Sequence, residues 1–217
     1  MVELTLIRHG QAQTGAEDEA SYDSLSDLGH QQARWLGNSL REVQPYDRVI
    51  SGAMTRQIET AQSLGLTGLP HSIDVRLNEL DYFGLAESLR GSHGVEIPRD
   101  IQSFALHVPQ VLDAWRGGDV HGHLETYEAF CDRITGALRD AAGYQGRVLL
   151  VTSTGVIATL AAIALGLDMM KKTKIFLRVM NTSVHKFEWV DGEIHLGQFG
   201  ATPHLDHPDR VHAKTYG

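Results

Sequence analysis

Residues suited to holding and attacking an oxyanion follow an apolar run near the start of the chain, in segment 6–11 of sequence LIRHGQ. Arg8 supplies a guanidinium, which stays charged and matches phosphate oxygens in pairs. His9 supplies an imidazole, which in its neutral form is a competent nucleophile toward phosphorus. Gly10 ends the apolar run, and Gln11 follows it. The segment predicts an oxyanion site with a nucleophile beside it, in which Gly10 and Gln11 contact the substrate.

Further polar residues follow other apolar runs that we interpret as strands. Arg56 lies about one turn into the helix after the second run, Glu79 follows the third run, and Ser153 and Thr154 follow the most strand-like run of the chain. In sheets of parallel strands flanked by helices, ligands bind outside the carboxyl ends of the strands. We therefore expect these four residues to join the first segment in one pocket.

Two arginines in one cleft require an anion, and the predicted helix start near Gly155 adds backbone N–H donors. An imidazole beside such cations loses affinity for its proton, so we expect the pKa of His9 to be lowered. A carboxyl group kept partly protonated by its surroundings can protonate a leaving alkoxide, and Glu79 is the candidate. These residues predict phosphoryl transfer through a phosphohistidine, with charge stabilised by Arg8 and Arg56. No metal ion and no cofactor are predicted.

The elements that must position these residues follow from the apolar patterning. Strands are predicted at 2–7, 47–51, 71–75, 148–151, 175–180, 182–190 and 193–199, the last two joined by the turn Asp191-Gly192. Helices are predicted between 26 and 45 and at 54–64, 127–141 and 156–165, and 11–23 is predicted to be a surface loop. The order β-α-β-α-β over the first 75 residues favours an α/β fold with parallel strands and helices on the faces of the sheet. We expect a single domain over 1–217, with a mainly helical insertion, or lid, at 85–122.

The composition is that of an ordinary globular protein, with 42% hydrophobic and 21% charged residues among 217. A formal net charge of −8 argues against nucleic acids and anionic membranes as partners, while a local arginine cluster still permits a small phosphorylated substrate. Cys131 is the only cysteine, so no intrachain disulfide is expected. With neither a signal-peptide pattern nor an apolar run of membrane-spanning length, we expect a cytoplasmic protein. The oligomeric state is not predicted.

Four segments, in order along the chain, resemble motifs of the histidine phosphatase superfamily, which includes the cofactor-dependent phosphoglycerate mutases. They are LIRHGQ at 6–11, LSDLGHQQA at 25–33, SGAMTRQIETA at 51–61 and LNE at 77–79, and NTSV at 181–184 resembles a late strand of the family. The resemblance covers roughly residues 4 to 190. It implies a mixed, mostly parallel sheet with helices on both faces. It also implies His9 as the nucleophile, Arg8 and Arg56 on the phosphate, and Glu79 as the proton donor.

The chain departs from the family pattern directly after the predicted strand at 148–151. The family has SHGG there, with a histidine that makes a second phosphate contact, whereas this chain has TSTG and places Ser153 at the histidine's position. Serine can donate one hydrogen bond but supplies no positive charge, and losing one preorganised donor typically costs about 10² to 10³ in rate. Ser153 and Thr154 could bind substrate or could simply cap the buried helix. The site is therefore expected to be slow, retuned or inactive.

Three functions remain open at this point. The favoured one is a metal-independent phosphatase that acts on a small phosphate monoester through His9. The alternatives are a catalytically impaired phosphate-binding or regulatory protein of the same fold, and a phosphoglycerate mutase. His185 or His204 could fold into the position of the absent histidine. The histidines of 121–123 and 204–207 have metal-ligating side chains, but we expect them to be ordinary surface residues.

Overall fold

A computed structural model describes residues 2–13, 19–42, 45–98 and 100–216 of the chain. They form one six-stranded sheet with helices packed on both faces, which confirms the predicted α/β architecture. The strands are β1 (Val2–Arg8), β2 (Arg48–Ser51), β3 (His71–Ile73), β4 (Val148–Thr152), β5 (Val184–Val190) and β6 (Glu193–Ala201). The helices are α1 (Glu19–Tyr22), α2 (Asp27–Arg41), α3 (Thr55–Ser63), α4 (Tyr82–His93), α5 (Ile101–Gly117), α6 (Tyr127–Ala142), α7 (Thr154–Leu165) and α8 (Met169–Phe176). Short 3-10 helices lie at Val75–Leu77, Pro203–Leu205 and Pro208–Ala213.

The strand order β3-β2-β4-β1-β5-β6 makes the sheet mixed and mostly parallel, as expected. The first four strands in that order run parallel to one another, whereas β5 pairs antiparallel with both β1 and β6. Pairing aligns Arg8 of β1 with Thr152 of β4, and Ser51 of β2 with Val151 of β4. The carboxyl ends of these three strands therefore meet at one edge of the sheet, where ligands bind in such folds.

The two central strands are apolar on both sides because each face of the sheet is covered by helices. Leu4 and Leu6 of β1 join a core cluster with α6 and α7, whereas Ile7 joins a second cluster with α2 and α3. In β4, Leu150 belongs to the first cluster and Leu149 to the second. This double burial explains why these strands read as continuous apolar runs without polar alternation.

The predicted insertion at 85–122 contains most of α4 and all of α5. Leu85, Leu89, Leu112 and Trp115 pack into the same core cluster as α6, so the inner face of this segment belongs to the core. Its action as a lid remains a prediction. None of the helices in the described ranges, these two included, is long and apolar enough to cross a lipid bilayer.

The predicted strand at 175–180 is wrong, because the chain there forms the end of α8 and a turn. By periodicity alone, the three apolar residues at 175–177 fit a short strand as well as a helix. Asp168 favours the helix, since its carboxylate caps α8 by accepting a hydrogen bond from the Lys171 backbone N–H at 2.9 Å. Packing of α8 against α5 and α7 further favours the helix over the strand that the local apolar pattern suggested.

The predicted turn between β5 and β6 is confirmed. Asp191 and Gly192 have φ values of 51° and 90°, in the left-handed region. A two-residue hairpin turn of type I′ needs positive φ at both central residues, which favours this Asp-Gly pair. The hairpin forms the antiparallel edge of the sheet, on the far side of β1 from β4.

Candidate active site

The carboxyl ends of β1 and β4 bring the predicted catalytic residues into one buried site. Arg8 ends β1 and His9 follows it, with the His9 backbone N–H donating to the last carbonyl of β4 at 2.9 Å. Arg56 comes from the first turn of α3, and Glu79 follows the first 3-10 helix. Both guanidiniums interact electrostatically with His9 and with Glu79. We call these four residues, together with Ser153 and Thr154 at the start of α7, the anion pocket.

The imidazole of His9 is held in one tautomer. Its Nδ1 lies 2.8 Å from the carbonyl oxygen of Gly10, which can only accept, so Nδ1 carries the proton and Nε2 keeps its lone pair. Burial, followed by the charges of Arg56 and Arg8, lowers the pKa of His9 well below its ordinary value of 6.5. The ring is therefore neutral near pH 7, with a nucleophilic nitrogen, as the neighbouring arginines predicted.

One end of the Arg8 guanidinium is anchored to the backbone. Nη1 donates to the carbonyl oxygens of Val179 and Tyr216, each at 2.5 Å. Nε is buried and has no acceptor among the residues that the structure describes. Burial lowers the pKa of Arg8, while Tyr22 and Glu79 raise it. A buried guanidinium with a donor left over is suited to an anionic ligand.

Arg56 has a carboxylate beside it. Asp23 accepts from Arg56 Nη1 at 3.0 Å, and its two oxygens also accept from the backbone N–H groups of Thr55 and Arg56, at 2.9 and 3.2 Å. The Tyr22 ring lies 5.0 Å from the guanidinium carbon of Arg56. The predicted loop at 11–23 is wrong for Glu19–Tyr22, which form α1, and Tyr22 and Asp23 contact Arg56. Residues 14–18 lie outside the described residues.

Glu79 lies at the amino end of α7. Both carboxylate oxygens accept from the Gly155 backbone N–H, at 3.0 and 2.9 Å, and Oε1 also accepts from the Leu80 N–H at 3.0 Å. Burial raises the pKa of Glu79 above its ordinary value of 4.5, against these donors and the two arginines, which lower it. A Cβ on Gly155 would lie 2.2 Å from Glu79 Oε1, so glycine is what leaves room for the carboxylate. A raised pKa keeps the carboxyl proton to higher pH, as a general acid requires.

Arg133 of α6 clamps the segment that carries Glu79, a role that sequence analysis missed. Its Nη1 donates to the backbone carbonyls of Arg76 and Asn78, at 2.6 and 2.9 Å. Its Nε is paired with the Glu125 carboxylate at 2.6 Å. Because the clamp acts on backbone carbonyls, which every residue carries, the sequence holds no signal that would have identified it.

Lys172 of α8 is a buried cation that sequence analysis also missed. The residue is 1% exposed, and its Nζ lies 3.4 Å from the Tyr127 hydroxyl and 4.4 Å from the centre of the Tyr127 ring. Burial lowers its pKa to about 8, against Cys131 and Glu79, which raise it. The ammonium therefore belongs to the electrostatic surroundings of Glu79.

Ser153 and Thr154 are both buried at the start of α7. Ser153 occupies the N-cap position, but its side chain makes no capping bond; its Oγ instead accepts from Gln57 Nε2 at 2.8 Å. Thr154 Oγ1 is buried with no partner among the described residues. The alternative that these side chains cap the helix is therefore wrong. Both hydroxyls lie at a helix start, where backbone N–H groups favour anions.

His185 and His204, the predicted candidates for the position of the family's second histidine, are both buried and lie against hydroxyls of Ser183 and Thr182. His185 Nε2 lies 2.8 Å from Ser183 Oγ, and the Gly200 N–H donates to its Nδ1 at 3.2 Å. His204 Nε2 lies 2.8 Å from Thr182 Oγ1. Burial lowers the pKa of His185 to about 3 and that of His204 to about 4, so both rings are neutral at pH 7. Each histidine has a structural partner of its own.

The histidines of segments 121–123 and 204–207, considered above as metal ligands, differ in burial. Those at 121, 123 and 207 are exposed, as predicted. His204 is buried, so the prediction of a surface residue is wrong for it. In the part of the chain that the structure describes, no three His, Cys, Asp or Glu side chains gather as a metal ion would require.

Gly10 allows β1 to end against the start of α2. A Cβ on Gly10 would lie 2.5 Å from the backbone oxygen of Gly29. The Gly10 N–H donates to Thr60 Oγ1 at 2.9 Å, and the Gln11 side-chain oxygen accepts from Ser26 Oγ at 2.8 Å. These contacts fix the chain after His9 against two helices, while contact of Gly10 and Gln11 with substrate remains a prediction.

Gly29→Ala is expected to lower the free energy of unfolding by about 1–3 kcal/mol. The added Cβ would lie 2.1 Å from the backbone oxygen of Gln11, so one of the two backbones must move. Chemical denaturation measures the change. Gly91→Ala is the matched control, because Gly91 lies inside α4 with open space around its Cβ position, where alanine stabilises a helix by about 0.5–1 kcal/mol. Equal changes in the two variants would contradict the close packing of Gly29.

Comparison with known families agrees with this geometry. A model of the histidine phosphatase superfamily (branch 1) matches residues 4–202. The chain therefore belongs to that superfamily, which confirms the resemblance of its four ordered motifs. The mixed sheet with helices on both faces is the fold of this class of protein.

Proteins similar to this chain include phosphatases and a mutase. The chain is 33% identical over 176 residues to the glucosyl-3-phosphoglycerate phosphatase of Mycolicibacterium vanbaalenii, an alignment that covers 76% of this chain and 74% of that protein. It is 27% identical over 223 residues to the probable phosphoglycerate mutase GpmB of Salmonella choleraesuis, covering 96% and 97%. A mutant of phosphoserine phosphatase from Entamoeba histolytica, solved with phosphoserine, shares the fold with a TM-score of 0.69 at 20% identity, covering 94% and 100%. The family match and the two sequence relatives support a phosphatase or mutase-like activity, whereas the structural likeness shows the shared fold.

Proposed function

We propose that this protein is a phosphatase that hydrolyses a small phosphate monoester through a phosphohistidine at His9. The observation that carries the proposal is the fixed tautomer of His9 between two arginines. The Gly10 carbonyl holds the Nδ1 proton, which leaves the Nε2 lone pair for attack on phosphorus beside Arg8 and Arg56. The arginines neutralise the charge of the phosphoryl group, so no metal ion or cofactor is part of the proposed reaction.

The proposed reaction has two steps. In the first, Arg8 and Arg56 bind phosphoryl oxygens while His9 Nε2 attacks phosphorus; the P–N bond forms as the P–O bond to the leaving group breaks. Glu79 gives its proton to the departing alkoxide. In the second, the Glu79 carboxylate takes a proton from water as the water oxygen attacks phosphorus. The P–N bond breaks, inorganic phosphate leaves, and neutral His9 and protonated Glu79 are restored.

The proposed partner is a small phosphorylated molecule in the cytoplasm, and neither nucleic acid nor membrane is a proposed partner. The names of two similar proteins refer to phosphate monoesters of small molecules, glucosyl-3-phosphoglycerate and phosphoserine. Specificity is proposed to come from the insertion at 85–122, because loops and insertions carry substrate selection on shared folds.

A catalytically impaired phosphate-binding or regulatory protein is the second candidate. Two observations favour it: Ser153 stands where the family has a histidine, and the Asp23 carboxylate already pairs with Arg56. A phosphoglycerate mutase is the third candidate, favoured by the likeness to a probable mutase along nearly the whole chain. A mutase must keep its phosphohistidine and shelter it from water, and the absent second histidine does not help it to do so.

Phosphate release from p-nitrophenyl phosphate, phosphoserine and 3-phosphoglycerate in the presence of EDTA tests the proposal. The phosphatase releases inorganic phosphate from at least one of them. Tight binding of phosphate in calorimetry without any release favours the binding protein, and phosphate exchange between the hydroxyls of phosphoglycerate without release favours the mutase. Ser153→His distinguishes two explanations of an active wild-type site. A rise in kcat of about 10² to 10³ would show that the serine impairs the site. A fall would show that the site is adapted to the serine.

A further inference from the structure

Gln57 is a fully buried side chain that the proposed reaction does not use. It follows Arg56 on α3 and makes three hydrogen bonds with its amide. Nε2 donates to the Leu77 carbonyl at 3.1 Å and to Ser153 Oγ at 2.8 Å. Oε1 accepts from the Met54 backbone N–H at 3.3 Å. The amide therefore links three segments around the anion pocket.

The directions of these bonds follow from the chemistry of the partners. The Leu77 carbonyl can only accept and the Met54 N–H can only donate, so Nε2 of Gln57 must face Leu77 and Oε1 must face Met54. A flipped amide would place two oxygens together at one end and two N–H groups together at the other. Nε2 has a second hydrogen, which it gives to Ser153. The Ser153 oxygen is thereby held as an acceptor.

The Ser153 hydroxyl has one proton, and the described residues offer it no acceptor. Its Oγ takes part in one hydrogen bond among them, the one that it accepts from Gln57. Thr154 Oγ1, beside it, is buried with no partner in the same ranges. A buried hydroxyl proton without an acceptor costs free energy unless a ligand takes it. An oxygen of a bound phosphoryl group would take it.

We propose that Gln57 is a positioning residue of the anion pocket: it holds Ser153 as an acceptor, so that Ser153 donates its only proton to a phosphate oxygen. This inference rests on the proposed function and deepens it. At the position where the resemblance predicts a histidine, Gln57 and Ser153 together supply an uncharged hydrogen-bond donor with a fixed orientation. Since neither side chain titrates near pH 7, this donor stays constant with pH, unlike an imidazole.

A double-mutant cycle on Gln57 and Ser153, read out by calorimetric binding of inorganic phosphate, tests the inference. Ser153→Ala is expected to weaken binding by about tenfold to a hundredfold, the range for a hydrogen bond to a charged group. Ser153→Thr keeps the hydroxyl and is expected to keep most of the affinity. Gln57→Met is expected to weaken binding by about tenfold with Ser153 present, and by less than about twofold in the Ser153→Ala background. Equal losses in both backgrounds would overturn the inference.

Thr152→Val is the matched control for the anchoring of Leu77. Thr152 Oγ1 donates to the same Leu77 carbonyl at 2.6 Å, whereas Ser153 has no part in that bond. The control is expected to weaken phosphate binding much less than Gln57→Met; an equal loss would assign the effect to Leu77 and overturn the inference. If Gln57→Met does not fold, unchanged affinity in Ser153→Ala overturns it instead. This test measures phosphate binding, so it gives a result even if the wild-type protein has no turnover. Absence of turnover would contradict the proposed phosphatase function but not the inference about Gln57.

Discussion

His9→Ala is expected to lower kcat with p-nitrophenyl phosphate by at least about 10³-fold, because it removes the nitrogen that forms the bond to phosphorus. Phosphate binding is expected to persist, since Arg8 and Arg56 remain and the lost ring is neutral. Initial rates measure the first effect and calorimetry the second. An acid-labile phosphoprotein, trapped by quenching during turnover, is expected in the wild type and absent from the variant.

His195→Ala is the matched control for this prediction. His195 is exposed on β6, at the antiparallel edge of the sheet, and takes no part in the anion pocket. Its removal is expected to leave kcat within about twofold, as for most surface substitutions. Undiminished turnover in His9→Ala, or equal losses in the two histidine variants, would remove His9 from the reaction.

Glu79→Gln is expected to lower kcat/KM for an alkyl phosphate such as phosphoserine by about 10² to 10⁴, the usual contribution of a general acid. With p-nitrophenyl phosphate the loss in kcat/KM, which reports only the steps up to release of the leaving group, is expected to be much smaller, because p-nitrophenolate leaves without a proton. The amide can still accept from the Gly155 N–H through its oxygen, so the binding site is retained. The ratio of the two losses is the measurement. Equal losses on both substrates would show that Glu79 positions the phosphate rather than protonating the leaving group.

The pH dependence of the same reaction follows from the two pKa shifts. His9 attacks when it is neutral, which holds above a pKa lowered well below 6.5. Glu79 acts when it is protonated, which holds below a pKa raised above 4.5. For an alkyl phosphate, kcat/KM is therefore expected to fall as the pH rises through the pKa of Glu79, and this alkaline limb is expected to vanish in Glu79→Gln.

Asp81→Asn provides the control for charge and position near Glu79. The Asp81 carboxylate accepts from the Gly84 N–H at 2.9 Å and caps α4, a function that asparagine also performs. The variant is expected to keep both the substrate ratio and the alkaline limb of the wild type. If Asp81→Asn alters the ratio as Glu79→Gln does, the proton comes by way of Asp81 and the assignment of Glu79 is wrong.

Local patterns predicted the fold well where one segment's own residues decide its structure. The runs that form β1 and β4, and the Asp191-Gly192 turn, are of this kind, because burial on both faces and positive φ leave direct marks in the sequence. The error at 175–180 arose where a short apolar run fits a strand or a helix, and packing of α8 against α5 and α7 decided between them. The order of strands in the sheet likewise depends on contacts between distant segments.

The residues of the site also differ in whether the sequence alone could identify them. Arg8, His9 and Arg56 could be found because the proposed binding and chemistry use their side chains directly, so their types are constrained at fixed places in motifs. Arg133 and Gln57 could not, since they act through backbone carbonyls or through another residue's hydroxyl. Such partners come from segments far apart in the chain, and their neighbours in sequence carry no trace of the contact.

By itself the sequence determined which chemical groups are present and their order along the chain, including Ser153 at the position where the resemblance predicts a histidine. Only the tertiary structure decided where each proton resides. The Gly10 carbonyl sets the tautomer of His9, burial sets the protonation of Glu79, and Gln57 leaves the Ser153 proton for a ligand. Proton positions depend on distances of about 3 Å between hydrogen-bonding atoms, and only folding brings atoms from distant segments that close.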